Sequence, residues 1–341
     1  MKPAAPVAAV PTKPNTILFL DVDGAPFLSF EMLSLQRAGA AVAFAGSRAI
    51  PKALKSGEFE SLAPGELVLS WLGLRTLSAL GRYSLTRPIR LFGALATAFR
   101  AYAREPAYLA KLAATLLWTL AVARWAETHG VEHLHANWAH LPATGAWFAS
   151  RLTGLPFSFS GHAGRDLYRT TALLPEKVRD ARFVTVCNRA AAEQLRRLCG
   201  ADAAAKVRVC HHGIDLRRFR PGPALARDFA LSVGNLDPAK GFDVMIRAMA
   251  ILRRKWPRLR YRIVGEGAER ARLEALAAEL RLDDCVTLEG ALHGDRLVDA
   301  YRQAAVFVAP SRLLDNGGRD GLPNVLLEAM ATGIPAVGSN V

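Results

Sequence analysis

Short apolar runs alternate with helix-forming stretches along almost the whole chain, and this alternation constrains the fold more than any other feature of the sequence. Each run has five residues. The first series is TILFL (16–20), AVAFA (41–45), PFSFS (156–160), RFVTV (182–186) and KVRVC (206–210), and the second is FALSV (229–233), RYRIV (260–264), CVTLE (285–289), AVFVA (305–309) and IPAVG (334–338). Runs of this kind, spaced by helices, are typical of parallel sheets covered on both faces. We therefore predict an α/β protein with two parallel sheets.

The length and the break in this pattern predict the domain organisation. A chain of 341 residues is long enough for about two domains. The pattern is lost at 213–228, where Pro and Gly accumulate. We predict a flexible leader over 1–15, a Rossmann-like domain over 16–222 and a second Rossmann-like domain over 223–341. Two such domains are expected to bind a ligand in the central cleft that their sheets face, at the carboxyl ends of the strands.

Composition excludes several classes of protein. With 51% hydrophobic and 22% charged residues, the chain is neither disordered, nor collagen-like, nor a coiled coil. The longest uncharged apolar stretch, 112–123, is shorter than the roughly 20 residues that cross a bilayer, so no spanning helix is predicted. The cysteines are too scattered for a CxxC metal site or a disulfide framework: Cys187, Cys199, Cys210 and Cys285. These features predict a soluble, cytoplasmic chain of enzyme size with reduced cysteines.

The positive charge is concentrated in the first part of the chain. Residues 1–224 contain 28 Lys and Arg against 15 Asp and Glu, whereas residues 225–341 contain 16 against 15. The helix-forming region 48–124 is especially basic, and it favours either an anionic membrane surface at the cytoplasmic face or a solvated helix face. No nucleic-acid-binding module is recognisable, so no nucleic-acid partner is expected.

The densest group of polar signals is the segment RDGLPNVLLEAMA (319–331), which follows a predicted strand and a Gly-rich loop. Pro323 suits the first position of a helix. The backbone N–H groups of Gly321 to Asn324 would then form an anion site. Asp320 in the loop and Glu328 in the helix are placed to bind hydroxyl groups at opposite ends of a phosphate-containing ligand. The alternative, which the spacing leaves open, is a capping carboxylate and a surface glutamate.

Weaker signals follow other strands. The loop from Gly234 to Gly241 offers backbone N–H groups and Lys240 to a phosphate, although a surface lysine in a turn is an open alternative. His162 follows the strand 156–160 and is a candidate site residue or a structural histidine. Three further histidines lack an acidic or cysteine partner at metal-ligand spacing and are interpreted as strand-end and packing residues: His133, His135 and His140.

Several ordered segments together resemble the retaining "group 1" glycosyltransferases of GT-B fold, of the family 4 type. These segments are FALSVGNLDPAKGFDVMIRAMAIL, YRIVGEGAERARLEALAAEL, CVTLEGAL and RDGLPNVLLEAMATGIPAV in the second half. In the first half, VEHLHANWAHLPATGAWFASRLTGLPFSFSGHAGRDLY and VRVCHHGIDLRRFRP are similar to members that build exopolysaccharides such as colanic acid. The resemblance covers roughly 16–341.

The resemblance implies the transfer of a hexose from a nucleotide-diphosphate sugar, with retention, to a glycan or lipid-linked acceptor in cell-surface polysaccharide synthesis. It implies that Glu328 binds the donor ribose and Asp320 the sugar hydroxyls. The amides of Gly321 to Asn324 reach the sugar and the diphosphate, and Lys240 neutralises the diphosphate. His162 contacts the transferred sugar. The implied catalytic residues are therefore His162 and Asp320, the implied donor-binding residues are Gly24, Gly234, Asn235, Lys240, Gly321, Leu322, Pro323, Asn324 and Glu328, and no metal is required.

The chain departs from the family pattern in three places. Asp320 stands where the family usually has Glu, and Asn235 stands where it usually has Arg, so one diphosphate cation is missing unless Arg319 or Arg312 substitutes. The sequence stops at Val341, just after a predicted strand, where the family continues. We therefore expect a truncated second domain, and an inactive remnant that binds anionic membranes is an alternative function.

A minor alternative is a phosphatase similar to the haloacid-dehalogenase-type hydrolases. The run ILFLDVDG (17–24) resembles their first motif, with Asp21 as the nucleophile, and Gly294-Asp295 with Asp299 resembles a later one. About 270 residues separate the two pieces, and nothing between them resembles the rest of such a site.

Overall fold

Two separate sheets contain the named strands, and every pairing between those strands is parallel. The computed structural model describes residues 16–20, 26–46, 66–162, 167–168, 170–222, 228–315 and 317–340. The chain divides into two units, Met1–Gly213 and Ile214–Val341. The prediction of an α/β fold with two parallel sheets is confirmed, and the predicted domain boundary at 222/223 lies slightly later than this division.

The first unit is built on a seven-stranded sheet with the order β3-β2-β1-β4-β5-β6-β7. Its strands are β1 (Thr16–Leu20), β2 (Ala41–Gly46), β3 (Glu66–Val68), β4 (Val131–Ala136), β5 (Phe157–Gly161), β6 (Phe183–Val186) and β7 (Val207–Val209). Its described α-helices are α1 (Pro26–Arg37), α2 (Leu74–Thr86), α3 (Pro88–Tyr102), α4 (Leu109–Thr128), α5 (Leu141–Thr153), α6 (Leu174–Asp180), α7 (Arg189–Cys199) and α8 (Ala201–Lys206).

The second unit is built on a five-stranded sheet with the order β10-β9-β8-β11-β12. Its strands are β8 (Phe229–Val233), β9 (Arg260–Val264), β10 (Val286–Gly290), β11 (Val306–Ala309) and β12 (Ala336–Gly338). Its described α-helices are α9 (Phe242–Lys255), α10 (Arg270–Glu279), α11 (Asp295–Gln303) and α12 (Asn324–Ala331), and a 3₁₀ turn covers Pro238–Lys240.

Strand β4 is the main element that the apolar runs did not predict. Its sequence VEHLHA places His133 and His135 among apolar residues. The ring nitrogens His133 Nε2 and His135 Nδ1 lie 2.7 and 2.8 Å from the hydroxyl of Ser158 on the neighbouring strand β5. Burial lowers the pKa of His135 to about 3, so this histidine is neutral. Both histidines therefore pack within the sheet, which agrees with their interpretation from sequence as strand-end and packing residues.

Helix α4 is long and apolar. Among the described residues, Pro106–Thr128 is one helical stretch with the length and composition to cross a membrane, although the sequence, judged by 112–123 alone, predicted none. In the structure, 44% of its most apolar window is buried within the first unit, where α4 packs against α5. Leu116, Trp118 and Val122 belong to the hydrophobic core, so α4 is a core helix of this unit.

Helices α2 and α3 expose a large apolar surface, which we call the α2–α3 surface. Leu74, Leu85 and Ile89 are 86%, 86% and 88% exposed. The corner between the helices is fixed from the other side, because Arg87 donates to Glu127 at 2.6 Å and to the Leu152 carbonyl. The corner is therefore held against the core while its apolar side chains face outward.

Candidate functional site

The second sheet reverses its winding between β8 and β11. Strands β9 and β10 follow β8 on one side, and β11 and β12 lie on the other. In open parallel sheets, ligands bind at the carboxyl ends of the strands at such a reversal. The loop after β8 contains Lys240, and the loop after β11 contains Asp320. The fold thus brings the densest sequence motif and the weaker Lys240 loop to the position where a ligand is expected.

Lys240 and Asp320 form an ion pair at this position. Lys240 Nζ lies 2.9 Å from Asp320 Oδ1 and 2.7 Å from Oδ2, and the Ser311 hydroxyl donates to Oδ2 at 2.9 Å. The two charged side chains are 23% and 20% exposed, so they are shielded from water but still accessible. The sequence analysis assigned these residues to separate groups of one ligand and did not predict that they bind each other.

The position of the Lys240 turn depends on Gly241. This residue has φ +66°, which favours glycine, and a Cβ atom there would lie 2.0 Å from the carbonyl oxygen of Pro310. The Arg312 N–H donates to the Ala239 carbonyl at 2.9 Å. The turn after β8 is therefore in direct backbone contact with the segment after β11, which fixes Lys240 beside Asp320.

Helix α12 begins one residue later than predicted. Pro323 is the N-cap residue with extended backbone, and Asn324 is the first helical residue, so the prediction of Pro323 at the first helical position is wrong. Gly321, Leu322, Pro323 and Asn324 are all half-buried at this helix start. Within the described part of the chain, no side chain caps this helix, and a helix N-terminus attracts anions.

Glu328 lies in the interior of α12 and is half-buried. Tyr301 donates its hydroxyl to Glu328 Oε2 at 2.7 Å. Burial raises the pKa of the Glu328 carboxyl, whereas the Tyr301 hydrogen bond and Arg218 lower it. A partly buried carboxylate with its position fixed by a tyrosine is a strong acceptor for hydroxyl groups. Asp320 and Glu328 thus flank the start of α12, as the motif predicted.

The missing cation is not supplied by Arg312. Its guanidinium donates to the Pro238 carbonyl at 2.9 Å and to Asp243 at 3.3 Å, so it stabilises the loop. Asn235 is exposed, and half-buried Gly234 donates its N–H to the Val264 carbonyl at 2.9 Å. Arg319 is half-buried in the loop before α12 and stays the other candidate.

In the first unit, His162 lies just after β5. Its Nε2 is 2.9 Å from the Asn137 carbonyl oxygen, and since a carbonyl only accepts, this nitrogen has the hydrogen. Burial, followed by the nearby His212, lowers the pKa of His162 to about 4, so the ring is neutral near pH 7. The Trp138 ring lies beside it, with the centroids 4.7 Å apart.

His162 lines a cavity of about 200 Å³ in the first unit, together with residues that the sequence analysis did not single out as site residues. Among them are Glu31, Cys187 and His212. Burial raises the pKa of the Glu31 carboxyl. Each of these residue types is common alone, and only their convergence in one cavity marks a site.

The buried amide of Asn137 is a further feature that the sequence did not reveal. Neither its oxygen nor its nitrogen has a hydrogen-bond partner within the described part of the chain. Buried polar groups are nearly always paired in native proteins, so this side chain at the end of β4 is a candidate for contact with a ligand or an ordered water.

Some predicted positions lie outside the described residues. These are the leader 1–15, Gly24, and the aspartates of the phosphatase alternative at 21 and 23. The later residues of that alternative, Asp295 and Asp299, lie on α11, where Asp299 pairs with Arg302 at 3.6 Å on the surface.

Two units with parallel sheets, each reversing its strand order beside its first strand, define the class of Rossmann-like α/β proteins with two domains. Comparison with known families agrees with this class. Residues 214–341 match the family described as glycosyl transferases group 1, and residues 86–218 match glycosyltransferase family 4.

Curated relatives and solved structures are consistent with these matches. A putative colanic acid biosynthesis glycosyltransferase WcaL from Escherichia coli K12 is 36% identical over 39% of this chain and 33% of that protein. The amylovoran biosynthesis glycosyltransferase AmsK from Erwinia amylovora is 34% identical over 40% of this chain and 34% of that protein. The aligned segments span about a third of the length of these relatives.

The Anabaena protein Alr3699/HepE, solved in complex with UDP and glucose, superimposes with a TM-score of 0.67 at 16% identity. The superposition covers 95% of this chain and 80% of that one, and it shows a common fold. Two adjacent parts of the chain therefore match glycosyltransferase families, and the chain has the GT-B fold.

Proposed function

We propose that this protein is a retaining glycosyltransferase that moves a hexose from a nucleotide-diphosphate sugar to a glycan or lipid-linked acceptor. The observation that supports this proposal most directly is the Lys240–Asp320 pair at the winding reversal of the second sheet. The relatives WcaL and AmsK are named for the biosynthesis of the polysaccharides colanic acid and amylovoran. The HepE complex shows UDP and glucose bound to a protein of this fold.

The donor is proposed to bind along the start of α12. The ribose hydroxyls would bind Glu328, and the diphosphate would lie near the helix start, where the N-terminal dipole is positive. Lys240 would donate to the diphosphate oxygens, and Asp320 would accept from the sugar hydroxyls. The ion pair between Lys240 and Asp320 would then be exchanged for two contacts with the donor, in which Lys240 meets the negative diphosphate and Asp320 meets neutral hydroxyl groups.

Catalysis would consist mainly of positioning and electrostatic stabilisation. The bond from the anomeric carbon to the diphosphate breaks while negative charge develops on the leaving group, and Lys240 with the helix N-terminus stabilises that charge. His162 is proposed to contact the transferred sugar. Its Nε2–H is already directed at Asn137 and its ring is neutral, so it would orient the sugar without adding a positive charge beside an oxocarbenium-like centre.

Changing His162 to alanine tests the proposed division of roles. We expect release of nucleoside diphosphate from UDP-glucose and other nucleotide sugars to fall on the order of 100-fold. Calorimetric affinity for UDP should change less than about threefold, because His162 belongs to the first unit. The exposed His293→Ala is the matched control and should leave both quantities unchanged. Equal losses of turnover and of affinity in His162→Ala would contradict the assignment.

We also propose that the α2–α3 surface lies on an anionic lipid leaflet. The supporting observation is the combination of exposed Leu74, Leu85 and Ile89 with a segment, 67–104, that contains six arginines and no acidic residue. Each arginine near an anionic leaflet contributes on the order of 1 kcal/mol, and the apolar side chains add to this when buried among acyl chains.

Sedimentation with liposomes measures this association. We expect binding to require anionic lipid and to weaken from low to physiological salt. Binding should fall when three exposed arginines are reversed, in the variant Arg75→Glu/Arg82→Glu/Arg90→Glu. Arg87 is left unchanged because it holds Glu127 in the fold. The control places the same charge change on α7, in the variant Arg189→Glu/Arg196→Glu/Arg197→Glu. Equal sedimentation with neutral and anionic liposomes would disprove the proposal.

A further inference from the structure

Three side chains with metal-binding atoms converge in the cavity of the first unit. His162 follows β5, Cys187 follows β6 and His212 lies beyond β7, and their ligand atoms all lie within 4.8 Å of one another. These strands are neighbours in the sheet, so their carboxyl ends meet although the residues are 25 positions apart in sequence. The three residues do not follow a CxxC-type spacing, and for this reason no metal site was predicted from the sequence.

The two histidines already face each other through the correct atoms. His162 Nδ1 lies 3.1 Å from His212 Nε2. Because His162 Nε2–H donates to the Asn137 carbonyl, the lone pair of its neutral ring is on Nδ1 and is directed toward His212. A backbone carbonyl that fixes the tautomer in this way is the usual outer partner of a metal-binding histidine.

The distance between the two histidine nitrogens and the donor types match a divalent cation such as Zn²⁺. Zn²⁺ bonds to histidine nitrogen at about 2.0–2.1 Å and to cysteine sulfur at about 2.3 Å, so two nitrogens on one tetrahedral ion lie about 3.3 Å apart. The observed 3.1 Å is close to this separation. Two imidazoles and a thiolate bind Zn²⁺ in preference to Mg²⁺ or Ca²⁺. Three protein ligands leave the fourth position for a molecule in the cavity.

The surroundings of the Cys187 sulfur favour a preformed metal site over an accidental surface cluster. Cys187 is only 2% exposed, and its carbonyl accepts a hydrogen bond from His211 Nδ1 at 2.8 Å. Asn188, the next residue, caps α7 through its side chain, which accepts from the Ala191 N–H at 2.8 Å. The backbone on both sides of the sulfur is therefore fixed, and the site needs small side-chain movements to close around an ion.

We propose that His162 Nδ1, His212 Nε2 and Cys187 Sγ bind one Zn²⁺ ion, and that the bound ion inhibits the protein. On binding, the Cys187 thiol releases one proton to solvent and the hydrogen of His212 moves to its other ring nitrogen, so no oxidation or reduction occurs. The inhibitory part rests on the proposed function, because the ion would hold His162 away from the transferred sugar.

Metal titration of the full chain tests binding without any assay of turnover. We expect one Zn²⁺ per chain by competition with a chromogenic chelator, and Co²⁺ should give a sulfur-to-cobalt charge-transfer band. Cys187→Ser should abolish the band and weaken Zn²⁺ binding on the order of 100-fold. His212→Gln, at a less buried position, is the second variant and should weaken binding similarly. Cys210→Ser, which removes an exposed thiol of the same cavity, is the matched control and should keep the band.

The results of these experiments distinguish failure of the metal site from failure of the proposed function. Zn²⁺ binding that is unchanged in both Cys187→Ser and His212→Gln would overturn the site. If the site is correct and His162 contacts the sugar, stoichiometric Zn²⁺ should inhibit turnover of the unsubstituted protein, a chelator should restore it, and Cys187→Ser should stay active in Zn²⁺. A charge-transfer band that depends on Cys187, without inhibition of turnover, would establish the site and disprove the inhibitory role.

Discussion

Replacing Glu328 with alanine is expected to lower the affinity for a nucleotide sugar by about 10- to 150-fold. A charge-assisted hydrogen bond contributes about 1.5–3 kcal/mol, and each 1.4 kcal/mol corresponds to a factor of ten. Calorimetric titration of UDP-glucose into the two proteins measures the effect. Glu279→Ala, at an exposed position on α10, is the matched control and should leave the affinity unchanged.

The stability of Glu328 variants distinguishes a binding residue from a structural one. Burial raises the pKa of Glu328 in the folded protein above its value in the unfolded chain, so ionisation of this carboxyl costs stability. The contribution of Glu328 to the free energy of unfolding is therefore fully present below the unfolded-state pKa and is lost as pH rises through the folded-state pKa. Glu328→Gln removes that cost while keeping the acceptor for Tyr301. We therefore expect Glu328→Gln to have an unchanged or higher melting temperature at pH 7 and a lower donor affinity. A lower melting temperature with normal donor affinity would show that Glu328 serves the fold.

The second large effect is expected at Lys240. Lys240→Ala leaves the Asp320 carboxylate largely buried, with Ser311 as its hydrogen-bond partner among the described contacts. Because the pair is largely shielded from water, we expect a loss of about 1–3 kcal/mol in the free energy of unfolding. Donor affinity should fall as well, by at least about tenfold, since the diphosphate would lose the side-chain cation proposed for it.

A double variant separates the two effects of Lys240. In Lys240→Ala/Asp320→Ala both partners are absent, so chemical denaturation should show recovered stability, whereas donor affinity should stay low. The ion pair of Arg253 with Asp284, at 2.7 Å on the surface of the same unit, supplies the control. Arg253→Ala should not change donor affinity. If the double variant binds the donor normally, the pair has only a structural role.

The sheets could be predicted from sequence because a run of five largely apolar residues can be assigned as a strand with few further assumptions about the fold. Each predicted run forms a strand, with ends shifted by at most two residues. Strand β4 escaped prediction because its histidines are compensated by Ser158 and Ser160 on β5, and that compensation requires the register His135↔Ser158. A pattern along one strand does not contain the identity of its neighbour.

The candidate site was predictable to the extent that its motifs follow strands. The positions of Lys240 and Asp320 after β8 and β11 could be expected, whereas their direct pairing could not, because 80 residues separate them. The cluster of His162, Cys187 and His212 lay further beyond prediction, since only His162 was a candidate site residue and only strand order joins the three. Tertiary adjacency, rather than residue type, is the information that the sequence lacked.

The backbone contact between Gly241 and Pro310 has a consequence for how the protein is made. The ribosome synthesises Lys240 well before Pro310 and Asp320, and until β11 pairs with β8 the turn after β8 has its hydrogen bonds to the segment after β9 but lacks its contact with Pro310. A nascent chain that ends before Asp320 therefore lacks the geometry for donor capture, although β8 and β9 can already be paired. The proposed donor site is complete only when β11, its following loop and α12 with Glu328 have all left the ribosomal tunnel.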